Sequence, residues 1–185
     1  RYRPHKNLEV LIPLADRMRR EGAPWVIVTT IEAHQGRAAK AFLKEIRERD
    51  LGEYIHNIGE VSMDDVPSLY ASVDALLLPT LLESFSQTYV EAMHYQRPVF
   101  TSDRDFAKDV CGDAAIYFDP LDPGDIFSTM ATSCATKATL KNLTTKGLDR
   151  VAGMPTWADT VHEFRAVPKK VAFDGASRVR EPSRA

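Results

Sequence analysis

Two glutamates in the stretch "PTLLESFSQTYVEAMHYQRPVF" (residues 79–100) have a spacing that could serve ligand binding. Glu83 and Glu91 lie eight positions apart around the start of a predicted helix that follows an apolar strand. At about 1.5 Å per residue, Glu91 falls roughly 10 Å along the helix axis from its first turn. A carboxylate is a good acceptor for paired sugar hydroxyls, such as the 2′ and 3′ hydroxyls of ribose. The two acids could therefore hold two different sugars.

The residues between the two acids predict an anion site. Ser84 and Gln87 fit a capping box, with Ser84 as N-cap and Gln87 at N3. The amides of Phe85 and Ser86 would then begin the helix without internal acceptors, at the positive end of its dipole. Such a site suits phosphate. A phosphate seated between two carboxylates favours a sugar nucleotide as the ligand.

Both acids also have a purely structural interpretation. An acid before a helix gains about 0.3–1 kcal/mol from the helix dipole alone. A glutamate on an amphipathic helix is usually just solvated. The core-facing stripe of this helix is predicted to be Phe85, Tyr89, Val90 and Met93. Spacing alone does not choose between the two interpretations.

A basic loop at the front of the chain strengthens the ligand interpretation. "RYRPHKN" places Arg1, Arg3, His5 and Lys6 before the first predicted helix, where a preceding parallel strand would end. Arginine binds a diphosphate through a bidentate fork and lysine as a point charge. The alternative is an ordinary basic terminus. The sequence has no G-x-G-x-x-G or G-x-x-x-x-G-K-[ST] motif, which counts against dinucleotide dehydrogenases and P-loop proteins.

The composition is that of an ordinary globular domain, with 185 residues, 44% apolar, 27% charged and a net charge of −2. This balance provides no overall attraction to nucleic acid or anionic membranes. Cys111 and Cys134 are isolated, which suits a reducing cytoplasm and argues against a disulfide scaffold. The five histidines show no metal-ligand spacing, so no metal site is predicted.

Apolar strand-like runs alternate with amphipathic helical segments. Strands are predicted at 25–31, 54–61, 74–80, 97–102 and 115–119. The runs at 25–31 and 74–80 are apolar throughout, which is typical of strands covered on both faces. The alternation predicts an α/β fold with a doubly wound, Rossmann-like parallel sheet.

The predicted domain covers residues 1–167. The chain opens in a loop that feeds a helix, so the sheet is expected to lack its first strand. Residues 168–185 are polar and basic and are predicted to be a weakly ordered tail. The alternative is a partner-binding or membrane-surface segment.

Taken together, these residues resemble retaining nucleotide-sugar glycosyltransferases of the GT-B fold, most closely glycosyltransferase family 4. Glu83 and Glu91 match the E-x7-E pattern, and Arg1 and Lys6 match the basic pair after the first strand of the C-terminal lobe. The resemblance spans about residues 1–165. It also includes "IGEVSMDDVPSLYASVDALLLPTLLESF", "AMHYQRPVFTSDRDFAKDVCGDAAIYFDPLDPGDI" and "TWADTVHEF".

The resemblance implies a catalytic role for three charged residues. Arg1 and Lys6 would bind the donor diphosphate and stabilise its charge as it leaves. Glu83 would hold hydroxyls of the transferred sugar, and Glu91 the ribose hydroxyls. Transfer in such enzymes retains the anomeric configuration and requires neither a metal nor a cofactor.

The resemblance also implies contacts made largely by the backbone. The amides of Phe85 and Ser86, with Ser84 beside them, would contact the diphosphate. Glu60 and Val61, in the "GEV" loop, would contact the base. A UDP-sugar is favoured over a GDP-sugar as the donor. Many relatives have glycines after the first acid, where this chain has Ser84 and Ser86.

The leading hypothesis is a donor-binding C-terminal lobe that transfers a sugar to a glycan or lipid-linked acceptor. The N-terminal, acceptor-binding lobe of a GT-B enzyme is not in these 185 residues, and alone the chain is expected to be a poor catalyst. That lobe could belong to the same chain or to a separate subunit. The competing functions are a non-catalytic interaction or nucleotide-sensing module and a sugar-nucleotide epimerase. The expected location is the cytoplasm, with peripheral attachment to the inner membrane face as an option.

Overall fold

A computed structural model describes residues 2–165, which fall into two units, one ending at Ala152 and one beginning at Gly153. The strands of the first unit are β1 Ile27–Thr29, β2 Ile55–Asn57, β3 Leu76–Leu78, β4 Val99–Ser102 and β5 Ala115–Phe118. Its helices are α1 Leu11–Glu21, α2 Arg37–Glu48, α3 Val66–Ser72, α4 Gln87–His94, α5 Asp105–Cys111, α6 Pro123–Cys134 and α7 Lys137–Ala152. Short 3-10 helices cover Pro4–Lys6, Leu8–Val10, Ala33–Gln35 and Gly112–Ala114.

All strand pairs in residues 2–165 are parallel and form two sheets. One sheet pairs β1 with β2, and the other has the order β3-β4-β5. Leu76 lies opposite Val99, and Val99 opposite Ala115. Parallel strands need helical crossovers, and helices lie between consecutive strands here. The predicted α/β class with parallel strands is confirmed. Within the described residues, β4 pairs on both sides, and the other four strands pair on one side only.

Both sheets contribute to one hydrophobic core. Helix α1 buries Leu14 and Met18 completely, and the same cluster contains Ile27 of β1, Ile55 of β2 and Phe100 of β4. Gly22, with a φ of 64°, ends α1 in the left-handed conformation that glycine adopts freely. One prediction was wrong. The strand at 25–31 is not covered on both faces, because the Val28 side chain is 38% exposed.

Helix α4, which carries Glu91, packs closely against α7. A Cβ atom added to Gly147 of α7 would lie 3.0 Å from Cγ of Met93 in α4. Met93 is buried to 1% exposure and Leu143 of α7 is also buried. Sequence reasoning assigned no helix to Lys137–Ala152. The close approach means that the size of residue 147 controls where α4 sits.

The second unit is described only from Gly153 to Arg165, and residues 157–165 form a helix. Thr156 and Asp159 form a reciprocal cap at its start. The Asp159 carboxylate accepts from the Thr156 amide at 2.8 Å, and the Asp159 amide donates to the Thr156 hydroxyl at 3.2 Å. The Thr156 hydroxyl also donates to the Asp159 carboxylate at 2.6 Å, and this bond, together with the one from the Thr156 amide, lowers the pKa of Asp159. The predicted boundary at 167 and the tail at 168–185 lie outside the described residues and stay predictions.

We expect Gly147→Val to lower the free energy of unfolding by about 1–3 kcal/mol, because the larger side chain must displace Met93. Urea denaturation measures the change. Asn142→Val, at an exposed position of the same helix, controls for the effect of a β-branched residue on helix propensity. Equal losses in the two variants would show that the α4–α7 contact does not limit the size of residue 147.

Candidate donor-binding site

The basic loop at the front of the chain lies against the loop that follows β3. The Leu81 amide donates a hydrogen bond to the His5 carbonyl at 2.7 Å. The buried Thr80 hydroxyl donates to the same carbonyl at 2.9 Å. In open α/β sheets, ligands bind outside the carboxyl ends of the strands. The two loops that the sequence predicted to share a site are therefore joined at such an edge.

Asn7 connects this loop to two strands of the larger sheet. Its side-chain amide donates to the Pro79 carbonyl at 3.1 Å and to the Pro120 carbonyl at 2.8 Å. Pro79 follows β3 directly, and Pro120 comes shortly after β5. Asn7 has a φ of 53°, and asparagine tolerates this left-handed conformation better than most residues. Two strand ends and the basic loop are thus fixed by one side chain.

Lys6 and Glu83, both predicted site residues, form an ion pair. Their side chains are 24% and 12% exposed, so both charges are largely withdrawn from water. The Thr80 hydroxyl lies 3.2 Å from the same Glu83 oxygen that accepts from Lys6. The structure therefore brings these two residues together. Arg1, their predicted partner, lies outside the described residues.

The start of α4 differs from the prediction. Ser84 is not the N-cap; Ser86 is, and its side chain makes no capping hydrogen bond. The first-turn amides therefore belong to Gln87 and Thr88 rather than to Phe85 and Ser86. The predicted helix start was two residues too early, because "ESFSQ" contains two serines and either could serve as the N-cap.

Phe85 was wrongly assigned to the core-facing stripe of this helix. It precedes α4 and its side chain is 56% exposed. The buried residues of α4 are Tyr89, Ala92 and Met93. Ser84 is also exposed, whereas Ser86 is buried. Phe85 is therefore exposed to solvent beside a helix start that the Ser86 side chain does not cap.

Glu91 is the fifth residue of α4, about 7.5 Å along the axis from Ser86 at 1.5 Å per residue. Its carboxylate accepts a hydrogen bond from the Tyr70 hydroxyl of α3 at 3.2 Å. No hydrogen bond or ion pair within residues 2–165 joins Glu91 to Lys6 or Glu83. The two acids thus have separate partners, and their assignment to distinct subsites stays a prediction.

Glu60 and Val61 lie in the loop after β2, next to the loop after β1. The Glu60 carboxylate accepts from the Gln35 side-chain amide at 2.7 Å, and the His34 imidazole is 3.5 Å away. Gly59 has a φ of 79°, and a Cβ there would lie 2.5 Å from the Glu32 carboxylate. Glycine at 59 is therefore favoured by its backbone conformation, and a larger residue would also displace the end of the Glu32 side chain.

A concave surface at the ends of β4 and β5 is dominated by acids. Its cavity of about 490 Å³ is lined by Asp103, Arg104, Tyr117, Phe118, Asp119, Asp122 and Asp125. Four carboxylates against one guanidinium repel a diphosphate. Among residues 2–165, no group of three His, Cys, Asp or Glu side chains is arranged to hold a metal ion.

Comparison with known proteins agrees with the parallel α/β fold. Residues 1–143 match the family of glycosyl transferases group 1, and the chain belongs to that family. The O-antigen chain mannosyltransferase B of Escherichia coli is 31% identical over 107 residues, covering 57% of this chain and 28% of the relative. The match thus covers little more than a quarter of that enzyme's length.

Solved structures establish the lobe to which the fold corresponds. The C-terminal domain of the group 1 glycosyl transferase LpcC from Francisella tularensis superposes with a TM-score of 0.68 at 17% identity, covering 82% of this chain and 80% of that one. HepE from Anabaena, solved with UDP and glucose, gives a TM-score of 0.72 at 16% identity over 93% of this chain and 46% of its own. The fold is that of the C-terminal lobe of GT-B glycosyltransferases, as the resemblance implied.

Sequence reasoning missed three residues of the site. Asn7 and Thr80 hold the basic loop in place, and Tyr70 holds Glu91, through side-chain hydrogen bonds. Asn7 could have been found, since an asparagine between a basic loop and a helix is a natural left-handed residue. Thr80 and Tyr70 carried no signal, because their partners lie on other elements.

We expect replacement of Asn7 to separate its backbone and side-chain roles. Asn7→Gly keeps the left-handed backbone and loses the two amide hydrogen bonds, which should lower stability by roughly 1–2 kcal/mol. Asn7→Ala should cost roughly 1 kcal/mol more, because alanine disfavours that backbone. Thermal and urea unfolding measure both. A glycine variant as stable as the parent would show that the amide bonds contribute nothing.

Proposed function

We propose that this chain binds the nucleotide diphosphate sugar donor of a retaining glycosyltransferase at the sheet edge that carries Lys6, Glu83 and the start of α4. The observation that carries the proposal is the Lys6–Glu83 ion pair, held by Thr80 and the His5 carbonyl at the strand ends. A lysine and a glutamate placed together at a ligand-binding edge supply one group for phosphate and one for sugar hydroxyls.

The electrostatics at this edge favour a diphosphate. The Lys6 ammonium is largely shielded from water, so its attraction to an anion is screened less than that of a surface lysine. The start of α4 adds a positive dipole end and the first-turn amides of Gln87 and Thr88, which Ser86 leaves without a side-chain cap. Arg1 is proposed to contribute a second cation, and Ser84, Phe85 and Ser86 to border the phosphates.

The proposed reaction uses these charges at the transition state. The bond from the anomeric carbon to the diphosphate oxygen breaks, and the diphosphate leaves with the electron pair. A new bond forms from the same face of that carbon to an acceptor oxygen, whose hydroxyl proton is released. Lys6, with Arg1, would stabilise the growing negative charge on the leaving group. Glu83 would orient the transferred sugar through its hydroxyls.

The nucleoside end is proposed to lie further along the same edge. Glu91 would accept hydrogen bonds from the ribose, and the loop of Glu60 and Val61 would contact the base. UDP is favoured as the nucleotide because the similarly folded HepE was solved with UDP and glucose. The donor sugar is left open, although the related Escherichia coli enzyme is a mannosyltransferase.

The complete reaction requires an acceptor site, which we propose to lie on an N-terminal lobe in the same or a separate chain. The acceptor would be a glycan or a lipid-linked sugar, in keeping with the O-antigen enzyme that the chain resembles. No helix in the described part of the chain is long and apolar enough to cross a bilayer. The proposed location is the cytoplasm, with peripheral attachment at the inner membrane face through that lobe.

The first test is titration of the 185-residue chain with UDP and GDP by calorimetry. We expect saturable binding of one diphosphate, weakened about tenfold or more by Lys6→Ala, because a charge-assisted contact is lost. Binding should also weaken as salt is raised. Lys40→Ala, at an exposed position of α2, is the matched control for loss of one positive charge. Equal weakening in both lysine variants would count against a phosphate role for Lys6.

A second test separates the sugar role of Glu83 from its pairing with Lys6. Glu83→Gln removes the negative charge beside Lys6, so UDP alone should bind as well as before or more tightly. The added affinity of a UDP-sugar over UDP should fall, because a neutral amide accepts more weakly than a carboxylate. Comparison of UDP with UDP-glucose and UDP-N-acetylglucosamine measures this difference. Equal weakening of UDP and the UDP-sugars would contradict the assignment.

A further inference from the structure

Tyr70 of α3 approaches the carboxylate to which the proposed function assigns the ribose. Its hydroxyl donates to Oε2 of Glu91 at 3.2 Å, and its other acceptor, the Thr88 carbonyl, is more distant at 3.4 Å. One hydroxyl proton can serve one acceptor at a time. The shorter contact and the negative charge both favour Glu91.

The Tyr70 ring is itself held in place. It is 8% exposed and stacks on Tyr95, which follows α4, with ring centroids 5.2 Å apart and planes 15° from parallel. Desolvation and the neighbouring Glu91 carboxylate raise the pKa of Tyr70. The phenol therefore stays protonated at neutral pH and acts as a donor.

A glutamate on the surface of a helix otherwise samples several rotamers, and fixing one of them on ligand binding has an entropic cost. Tyr70 occupies one acceptor position of Oε2. Each carboxylate oxygen has two such positions, so Oε1 and the second position of Oε2 stay available to a diol. The contact thus selects a carboxylate orientation without consuming its capacity to accept from a ligand.

We propose that Tyr70 is a positioning residue that orients Glu91 for the ribose hydroxyls of the donor. The inference rests on the proposed function, since it presupposes that Glu91 binds ribose. It adds a residue on a separate helix, α3, to the site. Ribose recognition would then depend on two side chains, Tyr70 of α3 and Glu91 of α4, and on the position of these two helices relative to each other.

The experiment uses UDP or GDP, whichever binds more tightly in the calorimetric titration, and compares it with its 2′-deoxy and 3′-deoxy forms. The measured quantity is the ratio of Kd for a deoxy form to Kd for the parent nucleotide. We expect Tyr70→Phe to weaken the parent nucleotide by about threefold to tenfold, the scale of one hydrogen bond to a charged group. The deoxy forms should weaken less, so the ratio should fall towards one.

Two further variants make the outcomes distinct. Glu91→Ala should bring the ratio to one, and Tyr95→Phe, which keeps the ring stack and removes a different hydroxyl, should leave it unchanged. If Tyr70→Phe weakens binding of the parent nucleotide and both deoxy forms equally, the loss does not depend on the ribose hydroxyls, and the inference is overturned. If Glu91→Ala lowers the ratio and Tyr70→Phe does not, the inference fails and the ribose role of Glu91 stands. A parental ratio near one, or one that Glu91→Ala leaves unaltered, overturns that role and the inference together.

Discussion

The contact between the basic loop and the ends of β3 and β5 is the constraint on which the site depends. The Asn7 amide bonds two carbonyls that follow different strands, and the His5 carbonyl accepts from both Thr80 and Leu81. These groups lie at the carboxyl ends of parallel strands, where the backbone leaves the sheet and no longer has a neighbouring strand as its hydrogen-bond partner. Polar backbone groups there must be satisfied by side chains or by other loops. The loop that satisfies them is the one that carries Lys6. Stability of the strand ends and placement of the cation therefore have a common cause.

The energy of the Lys6–Glu83 ion pair depends on the partial burial of its two side chains. A pair at the surface is worth little, because water screens it and both side chains lose entropy. A fully buried pair repays its desolvation only with good geometry and additional hydrogen bonds. Here both side chains remain partly accessible, and the Thr80 hydroxyl, which donates to the His5 carbonyl, lies 3.2 Å from the Glu83 carboxylate. A diphosphate entering this site would compete with Glu83 for the ammonium. Glu83 would then be free to accept from a sugar hydroxyl. Under the proposed function, the ion pair would hold both groups in place until a ligand replaces the contact.

The sequence was most informative where a feature depends on local pattern. Alternating apolar runs predicted all five strands. Local residues also set helix boundaries in the structure, since Gly22 ends α1 and the Asp122 carboxylate accepts from the Gly124 amide at the start of α6. It was least informative where two patterns of equal quality competed, as at Ser84 and Ser86. Contacts between distant elements left no trace in spacing, so Thr80 and Tyr70 were missed although each is buried. The resemblance supplied the E-x7-E roles, and only the structure could show that Glu60 bonds Gln35 through its side chain.

Helix α4 sets the distance between the proposed phosphate and ribose subsites. Its first-turn amides and Glu91 belong to one short helix, so their separation is fixed by the helical rise once the helix begins at Gln87. The helix cannot shift along its axis freely, because Met93 lies against Gly147 of α7 and the Tyr89 hydroxyl bonds Thr101 of β4 at 2.7 Å. Glu91 is further tied to α3 through Tyr70. Core packing and ligand geometry therefore act on the same element. A substitution in the core of this lobe can change nucleotide affinity without touching any group that contacts the ligand.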